Sequence, residues 1–307
     1  MIAPNRRLTG LFAAAMIIAG ACGTSGATTA PSAAATTSAA SVAPTTVASA
    51  APIAGGLLDK VLKAGELRIA TDKNYKPQSF LKPDGTFEGF DIDVGNEIAK
   101  RLGVQAKFMA QDWDVITAGG WANRWDVSVG SMTITTPREG VLGFTTAYYY
   151  TPAQMTATTK SAITTIDGLA GKTICVGVAT TYQDWLEGKL QTVSLGPVGT
   201  PPAGVKVKTL PSDNDCAEAM IAGQNVGEGF LSSSTVIDSV MADGAPIVRV
   251  GDPVYVEQLA ASCDKGGADP TDFIAWVSAI IDAMHADGTL SAMSLKWFKL
   301  DLTKPPA

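Results

Sequence analysis

From residue 67 onward the chain alternates short apolar runs with amphipathic stretches. Leu67-Arg68-Ile69-Ala70-Thr71 alternates as a strand, and Phe80-Leu81 leads into Pro83-Asp84-Gly85, a turn signal for a short hairpin ending near Phe90. Asp91 to Leu102 has helical spacing, with Ile92, Ile98, Ala99 and Leu102 inward and Gly103 as the stop. A strand at 104–109, a glycine-interrupted helix at 113–122 and a strand at 126–130 follow. Tyr148 to Thr159 reads as a long extended crossover into a second region, with strands at 172–178, 205–210 and 226–231 and helices from about Tyr182, at 216–222 and after Ser234. The stretch 248–261 is a second extended segment returning to the first region. Pro270 to Leu302 is helical, with Phe273, Trp276, Val277, Ile280, Ile281 and Met284 at core spacing and a break at Asp287-Gly288. Two crossings between two α/β regions imply a hinge.

The N-terminal pattern differs in kind. Arg6 and Arg7, an apolar run from Leu11 to Ile18 and Ala19-Gly20-Ala21-Cys22 have the layout of an export signal over 1–21. The run is too short to span a bilayer. It looks like a bacterial lipoprotein signal, although Ala19 stands where leucine is more usual, and Cys22 is the expected lipidated residue. An uncleaved anchor and an unlipidated secreted form are the alternatives. Residues 22–56 then form a Ser/Thr/Ala/Pro/Gly tether whose composition cannot bury a core. Removing the signal takes two of 23 basic residues and none of 29 acidic ones, leaving 21 against 29 and a net charge of −8, which argues against nucleic acid as a partner.

Three cysteines remain in an exported, oxidising setting. Cys175 lies in the strand-like Thr173-Ile174-Cys175-Val176 and Cys216 opens a helix-like run, so these two are the expected disulfide, with Cys263 as a buried odd thiol. The other two pairings stay open.

Candidate chemistry centres on Ser131-Met132-Thr133-Ile134-Thr135-Thr136-Pro137-Arg138-Glu139. Thr136 and Glu139 have capping-box spacing and Pro137 suits the first helical position, which puts Arg138 in the first turn. That helix end already carries partial positive charge, so an arginine there fits best against an anion. Arg138 is therefore expected to anchor a carboxylate; a solvated arginine paired with Glu139 is the alternative. Thr181 and Asp184 repeat capping-box spacing in the second region, offering a second helix N-terminus to the same anion.

In this order and spacing, Leu67 to Asp72 with Tyr75 and Pro77, Gly89-Phe90-Asp91-Ile92-Asp93-Val94, Asp112-Trp113-Asp114, Trp125-Asp126-Val127 with Gly130 to Glu139, Val178-Ala179-Thr180-Thr181, Asp287-Gly288-Thr289 and Lys296-Trp297-Phe298 carry a resemblance. From Leu57 to Leu300 the chain resembles the bacterial extracellular solute-binding proteins of the polar amino-acid family, which serve ABC importers. The resemblance implies an α/β, two-lobed periplasmic-binding-protein-like fold of type II with two crossover strands as hinge. One lobe is expected over 57–152 and 254–307, the other over 153–253. It implies that Arg138, Thr133 and the backbone at Ser131 hold a ligand carboxylate, met across the cleft by Thr180 and Thr181. Tyr75 and Trp113 correspond to aromatic walls, and Asp72 to an acid near the ligand's amino end or a turn cap. Ser232 falls where the family usually places the amine-binding aspartate; Asp72, Asp112, Asp114 or Glu228 is expected to supply that charge, unless the ligand is not a standard α-amino acid.

The expected protein is thus a monomeric, lipid-anchored extracytoplasmic binding protein that passes a small amino acid or related carboxylate to an ABC permease, without cofactor or metal. A ligand-sensing receptor module is the first alternative. A cleft enzyme related to cyclohexadienyl or arogenate dehydratases is the second; against it stand the lone His285 among core-spaced residues, the absence of Gly-x-Ser-x-Gly and metal-ligand spacings, and a second-region stretch offering serines rather than an acid.

Overall fold

The computed structural model describes residues 51–192 and 195–306. The export signal, Cys22 and the tether as far as residue 50 lie outside them. In chain order the elements are α1 (Leu57–Ala64), β1 (Glu66–Thr71), β2 (Asn74–Tyr75), β3 (Ser79–Leu81), β4 (Phe87–Glu88), α2 (Phe90–Leu102), β5 (Gln105–Ala110), α3 (Trp113–Thr117), β6 (Val127–Thr133), α4 (Thr136–Val141) and β7 (Leu142–Thr158). They continue with β8 (Thr173–Gly177), α5 (Thr181–Leu186), β9 (Lys206–Leu210), α6 (Asp213–Ile221), β10 (Gly229–Ser233), α7 (Ser234–Ala242), β11 (Ile247–Arg249), β12 (Tyr255–Asp264), α8 (Thr271–Ala286) and α9 (Thr289–Phe298). No helix among the described residues is long and apolar enough to cross a membrane.

Helix α2 shows how composition sets an element. Phe90, Val94, Ile98 and Leu102 recur every fourth residue on a buried face, Asp91 and Asp93 lie in the first turn, and Lys100 and Arg101 in the last. Gly103, at φ 76°, returns its N–H to the Ala99 and Lys100 carbonyls and ends the helix. At the other end Gly89 is held at φ 136°, where an added Cβ would lie 2.1 Å from the Gln78 carbonyl oxygen.

One sheet of nine strands runs through both lobes in the order β5-β1-β6-β12-β7-β10-β8-β9, with β11 on β7. Strand β1 lies parallel between β5 and β6. All seven residues of β6 are buried, which fits a strand covered on both faces. The two crossovers pair with each other antiparallel, from Leu142 opposite Asp264 to Ala153 opposite Tyr255. Beyond Ala153, β7 leaves β12 and pairs with β10 and β11. The connection therefore has no slack: both hinge segments are themselves sheet strands.

Each lobe keeps its own apolar core. Leu58, Ile69, Phe90, Tyr149 and Phe273 belong to the first lobe's main cluster, and Met155, Val176, Trp185 and Leu231 to one of the second lobe's. The Cys175–Cys216 disulfide forms, with Cα atoms 5.9 Å apart, tying β8 to α6. Cys263 is free and buried, and burial raises its thiol far above the usual range.

Several boundaries differ from the sequence reading. The helix expected over 113–122 ends at Thr117, because Gly119 and Gly120 adopt φ 68° and 63°. Helix α6 starts at Asp213, three residues before Cys216, where Ser212 and Asp215 form a reciprocal capping box. Both threonine caps sit one residue earlier than their spacing suggests: Thr135 caps α4 and Thr180 caps α5. The first threonine of each pair has the extended backbone a cap needs, which frees the side chain of the second.

Gly89→Ala is expected to destabilise the protein by more than about 4 kcal/mol, because left-handed backbone and a clash with main chain act together. Gly103→Ala, whose Cβ meets open space, should lose only about 1–2 kcal/mol. Urea unfolding of the two variants measures the contrast.

Candidate functional site

The carboxyl ends of β1 and β6 and the first turn of α4 face the first turns of α5 and α6 across a cleft. Asp72, Tyr75, Trp113, Ser131, Thr133 and Arg138 line it from the first lobe, Thr180, Thr181, Tyr182, Ser212 and Asp213 from the second, and Glu257 from β12. As the lobes stand they leave a cavity of about 30 Å3, room for roughly one water molecule.

Arg138 lies at the centre. It sits in the first turn of α4, its N–H 3.4 Å from the Thr135 hydroxyl, and its side chain is buried although it is charged. Nη1 donates to the Thr133 carbonyl at 3.0 Å and Nη2 to the Ala179 carbonyl at 2.9 Å, so one guanidinium bonds to both lobes. Its central carbon lies 5.5 Å from the Trp113 ring centroid, a cation–π distance. Burial lowers its pKa, opposed by the field of Asp184 and then Glu257, but a guanidinium stays protonated throughout the working range.

The backbone on both sides of Arg138 is unusual. Ser131 and Ala179 hold φ of 55° and 58°, left-handed values for non-glycine residues that cost about 1 kcal/mol or more each and persist only where other bonds impose them. At Ser131 those bonds are visible. Its N–H donates to the Tyr148 hydroxyl at 2.8 Å, and its own hydroxyl donates to Asp91 and accepts from Tyr149 at 2.6 Å. Ser131 thus lines the cleft while its donors serve the network beneath, unlike the ligand-facing backbone donor expected there.

The freed Thr181 hydroxyl and that of Thr133, at the end of β6, converge on a group the sequence reading overlooked. Thr133 and Thr181 donate to Glu257 Oε1 at 2.6 and 2.8 Å, and Tyr182 donates to Oε2 at 2.8 Å. Glu257 is therefore held by hydroxyls from both lobes on a strand that joins them. The available signal was parity: Glu257 lies in phase with Tyr255 and Leu259, the buried face of β12. Thr180 instead donates to the Gly177 carbonyl and caps α5.

Ser232 does not line the cleft. Its hydroxyl donates to Asp213 Oδ2 at 2.8 Å, and Asp213 Oδ1 accepts the Gly177 N–H at 2.6 Å, which positions the Asp213 carboxylate in the cleft wall. The acid absent at 232 is thus present at 213, a position none of the four suggested substitutes matched. As a first-turn acid of α6, Asp213 reads in sequence only as a helix-dipole residue. Of those substitutes only Asp72 reaches the cleft, and it also accepts the Asn74 N–H at 2.8 Å, the turn-cap contact. Asp112 meets Lys73, Asp114 accepts the Val115 N–H, and Glu228 accepts the Thr173 N–H, all away from the lining. With Asp213 in the cleft wall, the sequence-based case against an enzyme from a lack of second-region acids no longer holds. No metal-type cluster of three His, Cys, Asp or Glu side chains occurs among the described residues.

Tyr75 and Trp113 stand as walls, with the Tyr75 hydroxyl 3.3 Å from those of Tyr182 and Ser233. Burial raises Asp72 to about 6 and Asp213 to about 7, the latter despite the Gly177 and Ser232 donors that pull it down. Burial likewise raises Asp91 to about 7, against its Ser131 and Tyr148 bonds, and raises Glu257.

A raised carboxyl keeps its proton in the fold while the unfolded chain releases it near pH 4, so stability falls as pH rises from about 4 through about 7. Without added ligand, the unfolding free energy from urea titrations is expected to decline over that window, by up to about 1.4 kcal/mol per pH unit for each such group, and the urea midpoint with it. Asp213→Asn should flatten the decline; a midpoint that rises from pH 5 to 8 would contradict the assignment.

The model of the bacterial extracellular solute-binding proteins, family 3, matches residues 67–300. The L-cystine-binding protein TcyJ of Escherichia coli K12 is 30% identical over 251 residues, 81% of this chain and 88% of that one. The L-arginine-binding protein of Pseudomonas aeruginosa is 27% identical over 77% and 89% of the two chains. A crystal structure of an ancestral amino acid-binding protein, a precursor of cyclohexadienyl dehydratase, superposes with a TM-score of 0.67 at 26% identity, covering 78% of this chain and 99% of the other. A family match over most of the chain, a two-lobed fold with paired crossover strands and a cleft built at the strand ends identify this protein as a member of the bacterial extracellular solute-binding proteins, family 3.

Proposed function

We propose that this protein captures a small polar amino acid between its lobes and delivers it to an ABC permease. The observation that carries the reading is the Arg138 guanidinium, buried in the cleft and bonded to one carbonyl on each side of it. The ligand's carboxylate exchanges with those weaker carbonyl partners and makes charge-assisted bonds to the fork, each contributing about 1.5 to 3 kcal/mol. The Thr133 and Thr181 hydroxyls stand beside it from opposite lobes. Asp213 faces the α-ammonium, in place of an acid at 232, with Ser232 and Gly177 holding it in register. Tyr75, Trp113 and Tyr182 wall the remainder.

Capture is hinge bending. Ligand meets Arg138, Thr133 and the aromatic walls on the first lobe, 57–152 with 254–307; the second lobe, 153–253, then closes and adds Thr181 and Asp213. Only contacts made after closure favour the shut form, so the second lobe's share sets the closing equilibrium. The chain acts by binding rather than turnover, as the matched relatives' names suggest. It works as a monomer outside the cytoplasm, held to the membrane by lipid on Cys22.

A thermal-shift panel of amino acids, small organic acids and amines tests the class: amino acids should raise the melting temperature saturably, and a panel in which only acids or only amines do so would overturn it. Arg138→Ala should weaken binding of the best amino acid at least about 100-fold by calorimetry, with an unchanged circular dichroism spectrum. Near-native affinity in that variant would remove Arg138 from its role.

A further inference from the structure

Two hydroxyl protons in the cleft are claimed twice. With the ligand's carboxylate at the Arg138 fork, the hydroxyls of Thr133 and Thr181 stand beside it from opposite lobes. Both are already engaged by the protein's own carboxylate: Thr133 donates to Glu257 Oε1 at 2.6 Å and Thr181 to the same oxygen at 2.8 Å, while Tyr182 fills Oε2. A threonine hydroxyl carries one proton and donates it to one acceptor at a time. Glu257 and Thr133 are 2% exposed and Thr181 3%, so water has little room to stand in for a lost partner.

Arg138 does not relieve the competition. Its Nη1 and Nη2 donate to the Thr133 and Ala179 carbonyls rather than to Glu257, yet the Glu257 charge is near enough for its field to act on the guanidinium. A ligand carboxylate that bonds to Thr133 or Thr181 therefore takes that donor from Glu257 and comes to rest close to a like charge in a dry site. When the ligand leaves, Glu257 recovers both donors, and no buried hydroxyl is stranded. We propose that Glu257 is an affinity-setting residue, a resident carboxylate that competes with the ligand's carboxylate for Thr133 and Thr181 and so favours release. This rests on the amino-acid reading of the same cleft. A residue that served only the fold would weaken binding when replaced; a competitor strengthens it.

The test is Glu257→Gln, which keeps the side chain's shape and removes its charge. Calorimetry compares native and variant protein with pairs that differ by the carboxylate: arginine and agmatine, histidine and histamine, cystine and cystamine. The best-bound amino acid should bind the variant at least about fivefold more tightly, with slower dissociation in stopped flow, while its amine stays within about twofold. The amino-acid-to-amine preference should rise accordingly. Thermal melts verify folding, and Glu257→Ala, which frees both hydroxyls, carries the same expected direction should the glutamine variant not fold. A folded variant that binds the amino acid more weakly, or gains equally for amino acid and amine, in a cleft where Arg138→Ala abolishes binding, would overturn this inference and leave the amino-acid reading intact. No binding of any amino acid of the thermal-shift panel by native protein or variant would overturn both readings.

Discussion

A guanidinium taken out of water is the constraint around which the cleft is organised. Burying Arg138 is favourable only because its donors find partners, and those partners lie on different lobes: the Thr133 carbonyl at the end of β6 and the Ala179 carbonyl before α5. Presenting those carbonyls requires left-handed backbone at Ala179 and, two residues before Thr133, at Ser131. Ser131 is held there by Tyr148, Tyr149 and Asp91, which belong to or abut the first lobe's aromatic core. The strain at the cleft is thus carried by packing well below it.

The sheet explains how two lobes hold such a site in register. Strands β7 and β12 pair with each other along the junction and continue as ladder members on either side. Glu257 occupies this junction, bonded to hydroxyls of both lobes, so any parting of the lobes must break some of its bonds. The disulfide acts similarly within the second lobe: it fastens α6 to β8 beside the Gly177 N–H that orients Asp213.

Much of the site was legible because local chemistry repeats family chemistry. A strand delivering Ser131 and Thr133, a helix start carrying Arg138, and a second helix start at Thr180-Thr181 can each be read from spacing and residue type. Eight of the nine expected ligand-facing residues line the cleft. The exceptions have physical causes. Spacing could not say which threonine of each pair caps, since both have the side chain and only backbone conformation distinguishes them. Ser232 fits a family position, but its hydroxyl turns aside to Asp213, a contact between residues 19 apart.

By itself the sequence determined the alternation of strands and helices, the two crossings, the glycine stops and the cleft-facing arginine, because these depend on periodicity, backbone freedom and helix-end electrostatics within a few residues. Tertiary structure alone decided the charge inventory of the cleft. Along the chain Asp213 reads as a helix-start acid and Glu257 as one polar residue of a strand; only folding takes the two, 44 positions apart, out of water, which raises both, with the field of Glu257 adding to the rise at Asp213. Whether a carboxylate is a surface group or a ligand partner depends on what surrounds it in space, and that is not a local property of the chain.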